Sequence, residues 1–312
     1  MDSKDALLTI VVPVHNRERL AGPTLECLAA QTLRPLRVVL VDNASTDGTP
    51  ELLRRWKERV EAPGFSVEIL RETQPGAAAS RECGLRHVTT EYTMFFDSDD
   101  LMAPVHAALA VDAFKRHPEA DIVGWDVAVG DADGKLAGAV RRFYDKDVHW
   151  HNLMHGSLST QRYAARTSLF RRAGGWDPSV RGWDDIELGA RLLLLSPKIM
   201  KLTGEPTVVW RRHEDSISRF DFASQAGKWE HALRVLRRDF AGHPRLGRYV
   251  GLKGAILAGD YHKEGDCAAA GRLMAVLLRD EPTPCGRLLL RAAYHMQRRG
   301  LRGVARLLRP FF

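Results

Sequence analysis

Three carboxylates stand within four residues, directly after an apolar run that ends at Phe96. Asp97, Asp99 and Asp100 repel one another, so holding them at the end of a buried strand costs free energy unless a cation offsets their charge. Oxygen ligands at a two-residue spacing favour a hard divalent ion, Mg²⁺ or Mn²⁺, of the kind that substrate phosphates share. The same residues also fit an acidic turn before the next helix, because turns attract aspartate for local hydrogen bonding. The cluster alone leaves both interpretations open.

The elements that would hold this cluster alternate between strand and helix. Nearly continuous apolar runs predict the strands, and helix-spaced apolar residues predict the helices. The predicted strands are Leu7–Val14, Leu36–Val41, Val67–Leu70, Tyr92–Phe96 and Asp121–Val127, and the predicted helices are Arg17–Gln31, Pro50–Val60, Gly76–Val88 and Ala103–His117. This alternation predicts an α/β fold, in which helices cover both faces of a mostly parallel, Rossmann-like sheet.

Polar residues follow each of the first four predicted strands. They are His15-Asn16, Asp42-Asn43, Arg71-Glu72 and the acidic cluster. Ligands of such sheets bind outside the carboxyl ends of the strands, so four polar ends in succession predict a binding site. The chain has no Walker A sequence and no strand-linked GxGxxG, which removes the main support for a P-loop ATPase or a Rossmann dehydrogenase.

Three spaced motifs point to a family. They are Val-Pro-Val-His-Asn-Arg at 12–17, Val-Asp-Asn-Ala-Ser-Thr-Asp-Gly-Thr at 41–49 and Phe-Phe-Asp-Ser-Asp-Asp at 95–100. Together they resemble the family 2 glycosyltransferases of the GT-A fold, whose patterns are VPxYN, VDDxSxDxT and FLDxDD. The resemblance covers residues 7–215. It implies an inverting transfer from a nucleoside-diphosphate sugar, with UDP-sugar favoured, a divalent metal (Mn²⁺ or Mg²⁺), and a glycan or lipid-linked acceptor.

The resemblance also implies roles for single residues. Asp42 contacts the nucleoside, Asp97 faces the ribose or helps to hold the metal, and Asp99 ligates the metal that bridges the diphosphate. Arg81 occupies the arginine of the family's ARNxG pattern and pairs with a diphosphate oxygen or with an aspartate of the metal motif. The other residues implied for donor binding are Pro13, His15, Asn16, Arg71 and Ser98.

Some positions depart from the family or carry an equal structural alternative. Glu82 stands where the family has asparagine, and Asn43 stands where it has the second aspartate of VDD. Arg71 either reaches the base or is an ordinary surface arginine. Trp176 and Trp183 flank the second acidic stretch and either stack on an acceptor sugar or fill the core.

That second stretch, Gly182-Trp-Asp-Asp-Ile-Glu-Leu188, resembles the family's E-D-x-D/E-L-x-x-R segment. The match implies that Asp185 is the base that takes the proton of the acceptor hydroxyl, with Asp184 in place of the family's glutamate beside it. A helix beginning at these acids would favour them on electrostatic grounds as well, and the two interpretations are compatible.

A third stretch, residues 208–218, resembles the family's YRxHxxSxS segment. It implies that His213 is a further metal ligand or a diphosphate contact, whereas a lone histidine is more often structural. The adjacent Arg211 and Arg212 are candidates for contacting phosphate or acceptor.

The charge is unevenly distributed along the 312 residues. Residues 1–219 hold 29 Lys+Arg and 31 Asp+Glu, a net of −2, and residues 220–312 hold 17 and 8, a net of +9, which together give the formal +7. We therefore predict a catalytic domain over 1–219 and a basic helical region over 220–312. The final stretch 287–312 has seven arginines and no acid.

The same final stretch places Leu301, Val304 and Leu308 on one face of a helix. This pattern predicts either attachment to an anionic membrane surface or a helix packed on the protein with solvated arginines.

Four separated cysteines without a CxxC pair and an N-terminus unlike a signal peptide predict a cytoplasmic protein. With the basic helix, this places it peripherally on the cytoplasmic face of the inner membrane, in cell-surface polysaccharide synthesis.

Two other classes fit parts of the pattern. A sugar-phosphate nucleotidyltransferase also uses metal-binding aspartates, but its Gly-rich loop and its basic residue for triphosphate are not visible. A non-enzymatic nucleic-acid-binding protein would use the basic tail. That tail is mostly aliphatic, whereas single strands prefer aromatic residues among the basic ones, so no nucleic-acid partner is expected.

Overall fold

The computed structural model describes residues 5–213 and 222–312. The chain divides into two compact units. Unit 1 comprises Met1–Val148, Ser157–Ser179 and Arg191–Glu214, and unit 2 comprises His149–Gly156, Val180–Ala190 and Asp215–Phe312. The boundary predicted after residue 219 falls on residues 214–221, which lie outside the described part.

Unit 1 contains all the strands of the described residues. They are β1 (Leu8–Val14), β2 (Leu36–Asp42), β3 (Phe65–Arg71), β4 (Tyr92–Phe95), β5 (Leu101–Met102), β6 (Ile122–Gly124), β7 (Val127–Gly130), β8 (Leu136–Arg141), β9 (Tyr163–Arg166), β10 (Ile199–Lys201) and β11 (Val208–Arg211). Seven form one sheet in the order β10-β6-β9-β4-β1-β2-β3, and four form a second in the order β5-β11-β7-β8. In the larger sheet only β9 runs antiparallel to its neighbours, which confirms the mostly parallel α/β architecture.

Helices surround the larger sheet and make up most of unit 2. Those of unit 1 are α1 (Ala21–Ala29), α2 (Thr49–Val60), α3 (Ala77–Arg86), α4 (His106–Arg116) and α6 (Thr167–Arg172). Two helices have residues in both units, α5 (Val148–His155) and α7 (Asp184–Leu194). Unit 2 continues with α8 (Ala226–Asp239), α9 (Pro244–Lys263), α10 (Cys267–Asp280), α11 (Pro284–Arg298) and α12 (Val304–Leu308).

Strands β1, β2 and β3 end level with one another, and β4 ends three positions earlier, at Phe95 beside Val11. The register pairs Val14 with Asp42 and Asp42 with Arg71, and β4 runs parallel to β1. β1 and β2 are buried along nearly their whole length, as strands covered on both faces require. Gly84 of α3 lies against β1, because a Cβ there would be 2.4 Å from Val11 Cγ1. The polar residues after these strands therefore share one edge of a rigid sheet.

The predicted strand 121–127 is wrong as a single element. Its residues form β6 and β7, which belong to different sheets. The chain changes sheet next to Gly124, where the Phe143 ring packs so closely that a Cβ would lie 2.1 Å from its Cζ. The second sheet was not predicted, since β5 has two residues and β8 is exposed throughout, so neither gives an apolar signal.

Described residues 222–312 contain helices and turns but no strand, as predicted for the C-terminal region. Gly265, with φ +95°, separates α9 from α10. All four cysteines are free. Within the part of the chain that the structure describes, no helix combines the length and apolarity needed to cross a membrane.

The stretch 287–312 was predicted to be one helix, and that prediction is wrong. Gly300 and Gly303 have φ values of +79° and +75°, so α11 ends before them and α12 begins after them. Val304 and Leu308 are only 1% and 8% exposed. Two of the three residues of the predicted apolar face are thus buried within the folded protein.

Candidate functional site

The loops after β1 and β2 are tied to each other at the sheet edge. Asp42, which ends β2, is only 4% exposed. His15 Nδ1 lies 2.7 Å from the backbone oxygen of Asn43. Asn16 has φ +49° and accepts a 2.9 Å hydrogen bond from the backbone N–H of Thr46. Asparagine tolerates this left-handed conformation, so the sequence suits the tight turn after β1.

Asn43 explains one departure from the family pattern. Its Nδ2 donates to the backbone oxygens of Glu72 (3.0 Å) and Gln74 (2.8 Å), and its Oδ1 accepts from the N–H of Gly76 (2.8 Å). A carboxylate lacks the two donors. Asn43 therefore fastens the end of β2 to the segment that leads from β3 into α3.

Asp97 is held by two donors. Arg81 of α3 donates from Nη2 to Asp97 Oδ1 at 2.8 Å, and Thr160 Oγ1 donates to Asp97 Oδ2 at 3.1 Å. The Arg81 side chain is 8% exposed and its Cζ lies 4.8 Å from the centre of the Trp176 ring. Arg81 thus pairs with an aspartate of the motif, one of the two partners that the resemblance implies. Trp176 is 2% exposed and makes an edge contact with Phe95, so it belongs to the core.

Glu82, the other departure, supports the loop that carries Trp176. Glu82 Oε2 accepts a 2.9 Å hydrogen bond from the backbone N–H of Trp176. Gly175, with φ +70°, leaves space for this carboxylate, because a Cβ there would lie 2.2 Å from Oε2. Arg191 Nη1 donates to the Gly175 oxygen from the other side at 2.7 Å. These contacts give Glu82 a structural role.

Asp99 faces a histidine and an arginine. Its Oδ2 lies 2.9 Å from His213 Nε2 and 3.5 Å from Arg17 Nη2. His213 follows β11, and its side chain is 7% exposed against 20% for Asp99. The structure thus brings together two of the three residues predicted to bind metal. Arg17 was not identified as a site residue, although it ends the first motif of the resemblance.

Asp100 is buried beneath the turn. Its Oδ1 accepts from the backbone N–H of Arg211 at 2.9 Å, and its Oδ2 is a buried oxygen without a hydrogen-bond partner among the described residues. Burial raises the pKa of Asp100 well above its usual value, and the charges of Asp97 and Asp99 raise it further. Ser98 is 7% exposed. The turn therefore presents Asp97 and Asp99 outward and keeps Asp100 inside.

Arg211 holds the turn formed by residues 97–100 in place. Its guanidinium donates to the backbone oxygens of Asp99 and Leu20. Arg211 is only 5% exposed. Arg212, in contrast, is exposed. The rest of the YRxHxxSxS resemblance, residues 214–218, lies outside the described part.

A divalent ion fits this donor set in part. Asp99 Oδ2 and His213 Nε2 face each other at 2.9 Å, an oxygen and a nitrogen that such an ion accepts. Both oxygens of Asp97 already accept hydrogen bonds. Within residues 5–213 and 222–312, no three His, Cys, Asp or Glu side chains form a ready metal cluster. Two side chains can therefore ligate an ion, whose remaining ligands must come from elsewhere.

The second acidic stretch lies in unit 2 at the start of α7. Asp184 and Asp185 are half-buried in its first turn, where the helix dipole favours acids. The preceding Trp183 has φ +57°, and Lys253 Nζ lies 3.9 Å from the centre of its ring. Lys253 is only 9% exposed and donates to the backbone oxygen of Leu153 at 2.8 Å.

Burial lowers the pKa of Lys253 to about 8, and the charge of Asp185 opposes that shift. Burial also lowers the pKa of Lys228, opposed by Asp184. Each acid of the pair thus has a lysine of unit 2 as an electrostatic partner. Neither lysine was identified from the sequence, because both lie more than forty positions further along the chain than the acids.

Most of the predicted donor-binding residues share the sheet edge of unit 1. Arg71 ends β3 and is exposed, and Pro13 is half-buried in β1. Thr160, which donates a hydrogen bond to Asp97, belongs to no motif and was not predicted from the sequence. Asp184 and Asp185 belong to unit 2, so the predicted site residues are distributed over both units.

Similarity to known proteins identifies a family for this chain. The sequence profile described as "Glycosyl transferase family 2" matches residues 9–171. Among curated relatives, "Glycosyltransferase GlyA" of Streptococcus pneumoniae is 25% identical over 245 residues, 73% of this chain and 33% of its own length. "Validoxylamine A glucosyltransferase" of Streptomyces hygroscopicus is 30% identical over 221 residues, 60% of this chain and 48% of its own. The chain thus spans a third to a half of these two relatives.

Solved structures show the same fold. S. aureus TarS 1-349 in complex with UDP-GlcNAc has a TM-score of 0.64 at 16% identity, covering 98% of this chain and 92% of that one. The mannosyltransferase PcManGT from Pyrobaculum calidifontis, in complex with GDP-Man and Mn²⁺, has a TM-score of 0.58 at 22% identity, covering 98% and 86%. The fold is therefore GT-A, and the profile match over more than half of the sequence shows that the chain belongs to glycosyl transferase family 2.

Proposed function

We propose that this protein transfers a sugar from a nucleoside-diphosphate sugar to a hydroxyl of a glycan or lipid-linked acceptor with inversion at the anomeric carbon. The observation that carries the proposal is the sheet edge of unit 1. There Asp42 ends β2, and Asp97 and Asp99 follow β4, the two parallel strands on either side of β1, with Arg81 and His213 beside the acids. Family membership favours glycosyl transfer over the nucleotidyl transfer that the acidic cluster would also allow.

The donor's nucleoside lies against the loops after β1 and β2 in this proposal. Asp42 holds the base, and Pro13, His15, Asn16 and Arg71 border it. The hydrogen bonds between these loops hold them together, so little ordering is needed when the donor binds. Asp97, oriented by Arg81 and Thr160, is available to the ribose, and Ser98 lies beside it.

Asp99 and His213 are the residues that would hold Mn²⁺ or Mg²⁺, with diphosphate oxygens completing the coordination. A bound ion neutralises the charge that grows on the departing diphosphate. Arg17, 3.5 Å from Asp99, is a second source of positive charge near those oxygens. The structures of relatives solved with UDP-GlcNAc and with GDP-Man and Mn²⁺ support a nucleotide-sugar donor and a metal.

Asp185 is the proposed base, and Asp184 its neighbour. The acceptor oxygen attacks the anomeric carbon, the bond from that carbon to the diphosphate breaks, and its electron pair leaves with the diphosphate. Asp185 takes the proton of the hydroxyl. A single displacement inverts the configuration and needs no nucleophilic carboxylate.

The names of other relatives support a polymer acceptor. They include "Poly(ribitol-phosphate) beta-glucosyltransferase" of Bacillus spizizenii and "Minor teichoic acid biosynthesis protein GgaA" of Bacillus subtilis, at 30% and 21% identity. We therefore place the activity in cell-surface polysaccharide synthesis at the cytoplasmic face of the membrane. UDP-sugar is the favoured donor in this proposal.

A donor screen tests the proposal. The full chain is assayed for nucleotide release with UDP-, GDP- and dTDP-sugars, with Mn²⁺ or with EDTA. We expect one donor class to be hydrolysed or transferred only with the metal. In Asp99→Asn the rate should fall about 10²–10³-fold, since an electrostatic group at the leaving diphosphate is lost.

Asp112→Asn is the matched control, because it removes the same charge from an exposed aspartate of α4 that lies outside the motif. It should retain the wild-type rate. Full activity in Asp99→Asn would refute the metal assignment. Failure of every nucleotide sugar to be turned over, or to stabilise the protein against heat, would refute glycosyl transfer from such donors.

A further inference from the structure

A cavity of about 400 Å³ lies among α8, α9 and α10, wholly within unit 2. Its apolar lining includes Leu233, Leu273 and Leu277, which are 3%, 6% and 2% exposed. Val276 also lines it and is 40% exposed, so an apolar side chain stands at its solvent side. The cavity thus offers a hydrocarbon-lined interior that solvent can reach.

Four arginines line the same cavity. Arg237 and Arg279 both pair with Asp280, at 2.6 Å and 2.9 Å. Arg234 and Arg272 have no carboxylate within ion-pair distance among the described residues, and both are exposed.

The lining contains one acid, Glu230, so positive charge exceeds negative charge even when Asp280 is included. Guanidinium groups favour phosphate because of their planar set of donors. The cavity therefore pairs an apolar interior with an unneutralised cationic border.

We propose that this cavity binds an anionic phospholipid. The phosphate lies against Arg234 and Arg272, and an acyl chain lies against Leu233, Leu273 and Val276. A soluble phosphate would leave the apolar lining unused, and an uncharged lipid would leave two arginines unpaired. Each buried methylene adds to the binding, as does each arginine near an anionic surface.

This site differs from the predicted membrane helix at 287–312. It would attach unit 2 to a membrane through α8 and α10, and it stands whether or not the proposed sugar transfer is correct. The basic composition of residues 220–312, a net of +9, agrees with an anionic partner for this region.

The test is co-sedimentation of the full chain with vesicles of phosphatidylcholine alone or mixed with phosphatidylglycerol. The wild type should bind the mixed vesicles only. Arg234→Gln with Arg272→Gln should weaken that binding about 10–30-fold, as expected for two lost arginine contacts. Val276→Asp should weaken it as well, because it places a charge among the acyl contacts.

Two matched variants keep the test decisive. Arg302→Gln with Arg306→Gln removes the same charge from the tail, and Leu288→Asp alters an exposed leucine (66%) of α11. Both should bind mixed vesicles as the wild type does. Loss of binding in the tail variants with full binding in the cavity variants would overturn the proposal in favour of the tail.

A measurement with inorganic phosphate distinguishes a lipid-binding site from a site for free phosphate. Inorganic phosphate alone should not raise the melting temperature of the wild type relative to the double-arginine variant. If it does so, and Val276→Asp binds vesicles normally, the cavity is a phosphate site and the proposal is wrong. Far-UV circular dichroism confirms that each variant is folded.

Discussion

The aspartates of unit 1 and those of unit 2 differ in how they interact with basic side chains. In unit 1, Asp97 forms an ion pair with Arg81 at 2.8 Å and Asp99 lies 2.9 Å from His213, and the basic side chains are the more buried partners. In unit 2, the charge of Asp185 acts on the buried lysine Lys253, which donates a hydrogen bond to a backbone oxygen. The first arrangement places a basic group directly against each acid, whereas in the second the described residues offer no carboxylate within ion-pair distance of the buried Lys253 ammonium.

The difference indicates what each arrangement is suited to do. Carboxylates fixed by ion pairs keep one geometry, which suits residues that position a donor. A carboxylate that is half-exposed beside a buried lysine can exchange protons with an acceptor and solvent. We therefore propose that the acids of unit 1 position the donor and that those of unit 2 transfer the proton, and substitutions can separate the two roles.

The largest expected effect is on turnover in Asp185→Asn. The amide cannot take the proton of the acceptor, so kcat should fall about 10²–10⁴-fold, the usual contribution of a general base. Donor affinity, measured by calorimetry, should change little, because the proposed donor contacts belong to unit 1. Unchanged kcat, with Asp112→Asn as control, would remove Asp185 as the base.

Much of unit 1 follows from its sequence. The alternation of buried strands and helices is local information, so β1 to β4 and α1 to α4 were predicted with small shifts at their ends. The motif acids come directly after predicted strands, and parallel strands end at one edge, which placed Asp42, Asp97 and Asp99 together.

The partners of those acids were harder to predict. Thr160 is 63 positions from Asp97, and it contacts that residue only because the chain returns to the sheet before β9. Lys253 lies within a helix whose pattern is that of an ordinary core helix. Long-range contacts of this kind depend on tertiary packing, and a single sequence shows no trace of them.

The next largest effect is on stability in Arg81→Met. Removing a cation that is 8% exposed leaves Asp97 Oδ1 without its partner and removes a contact with the Trp176 ring. We expect the free energy of unfolding to fall by about 3 kcal/mol, near the lower end for breaking a buried pair, because Asp97 itself is 27% exposed.

Urea unfolding measures this change, and α3 provides the matched control. Arg86 pairs with Glu82 at 3.1 Å but is 72% exposed, so Arg86→Met should change stability by less than about 1 kcal/mol. Equal losses in the two variants would show that burial does not distinguish these ion pairs, and the contrast drawn for unit 1 would fail.

The smallest effect, in Lys253→Met, should reverse its sign with pH. The folded-state pKa of Lys253 is about 8, against 10.5 when unfolded, so between these values the unfolded chain binds more protons and stability rises with pH. The shift corresponds to about 3 kcal/mol. Methionine lacks this penalty but loses the hydrogen bond to Leu153, worth about 1 kcal/mol.

The variant should therefore be more stable than the wild type by about 2 kcal/mol near pH 7 and less stable by about 1 kcal/mol near pH 10.5. Urea unfolding across that range measures the crossover. Lys263→Met, at the end of the same helix and 37% exposed in the wild type, should show no crossover. A stability difference between Lys253→Met and wild type that stays constant with pH would mean that Lys253 is not a strained buried cation, and unit 2 would then hold its charges much as unit 1 does.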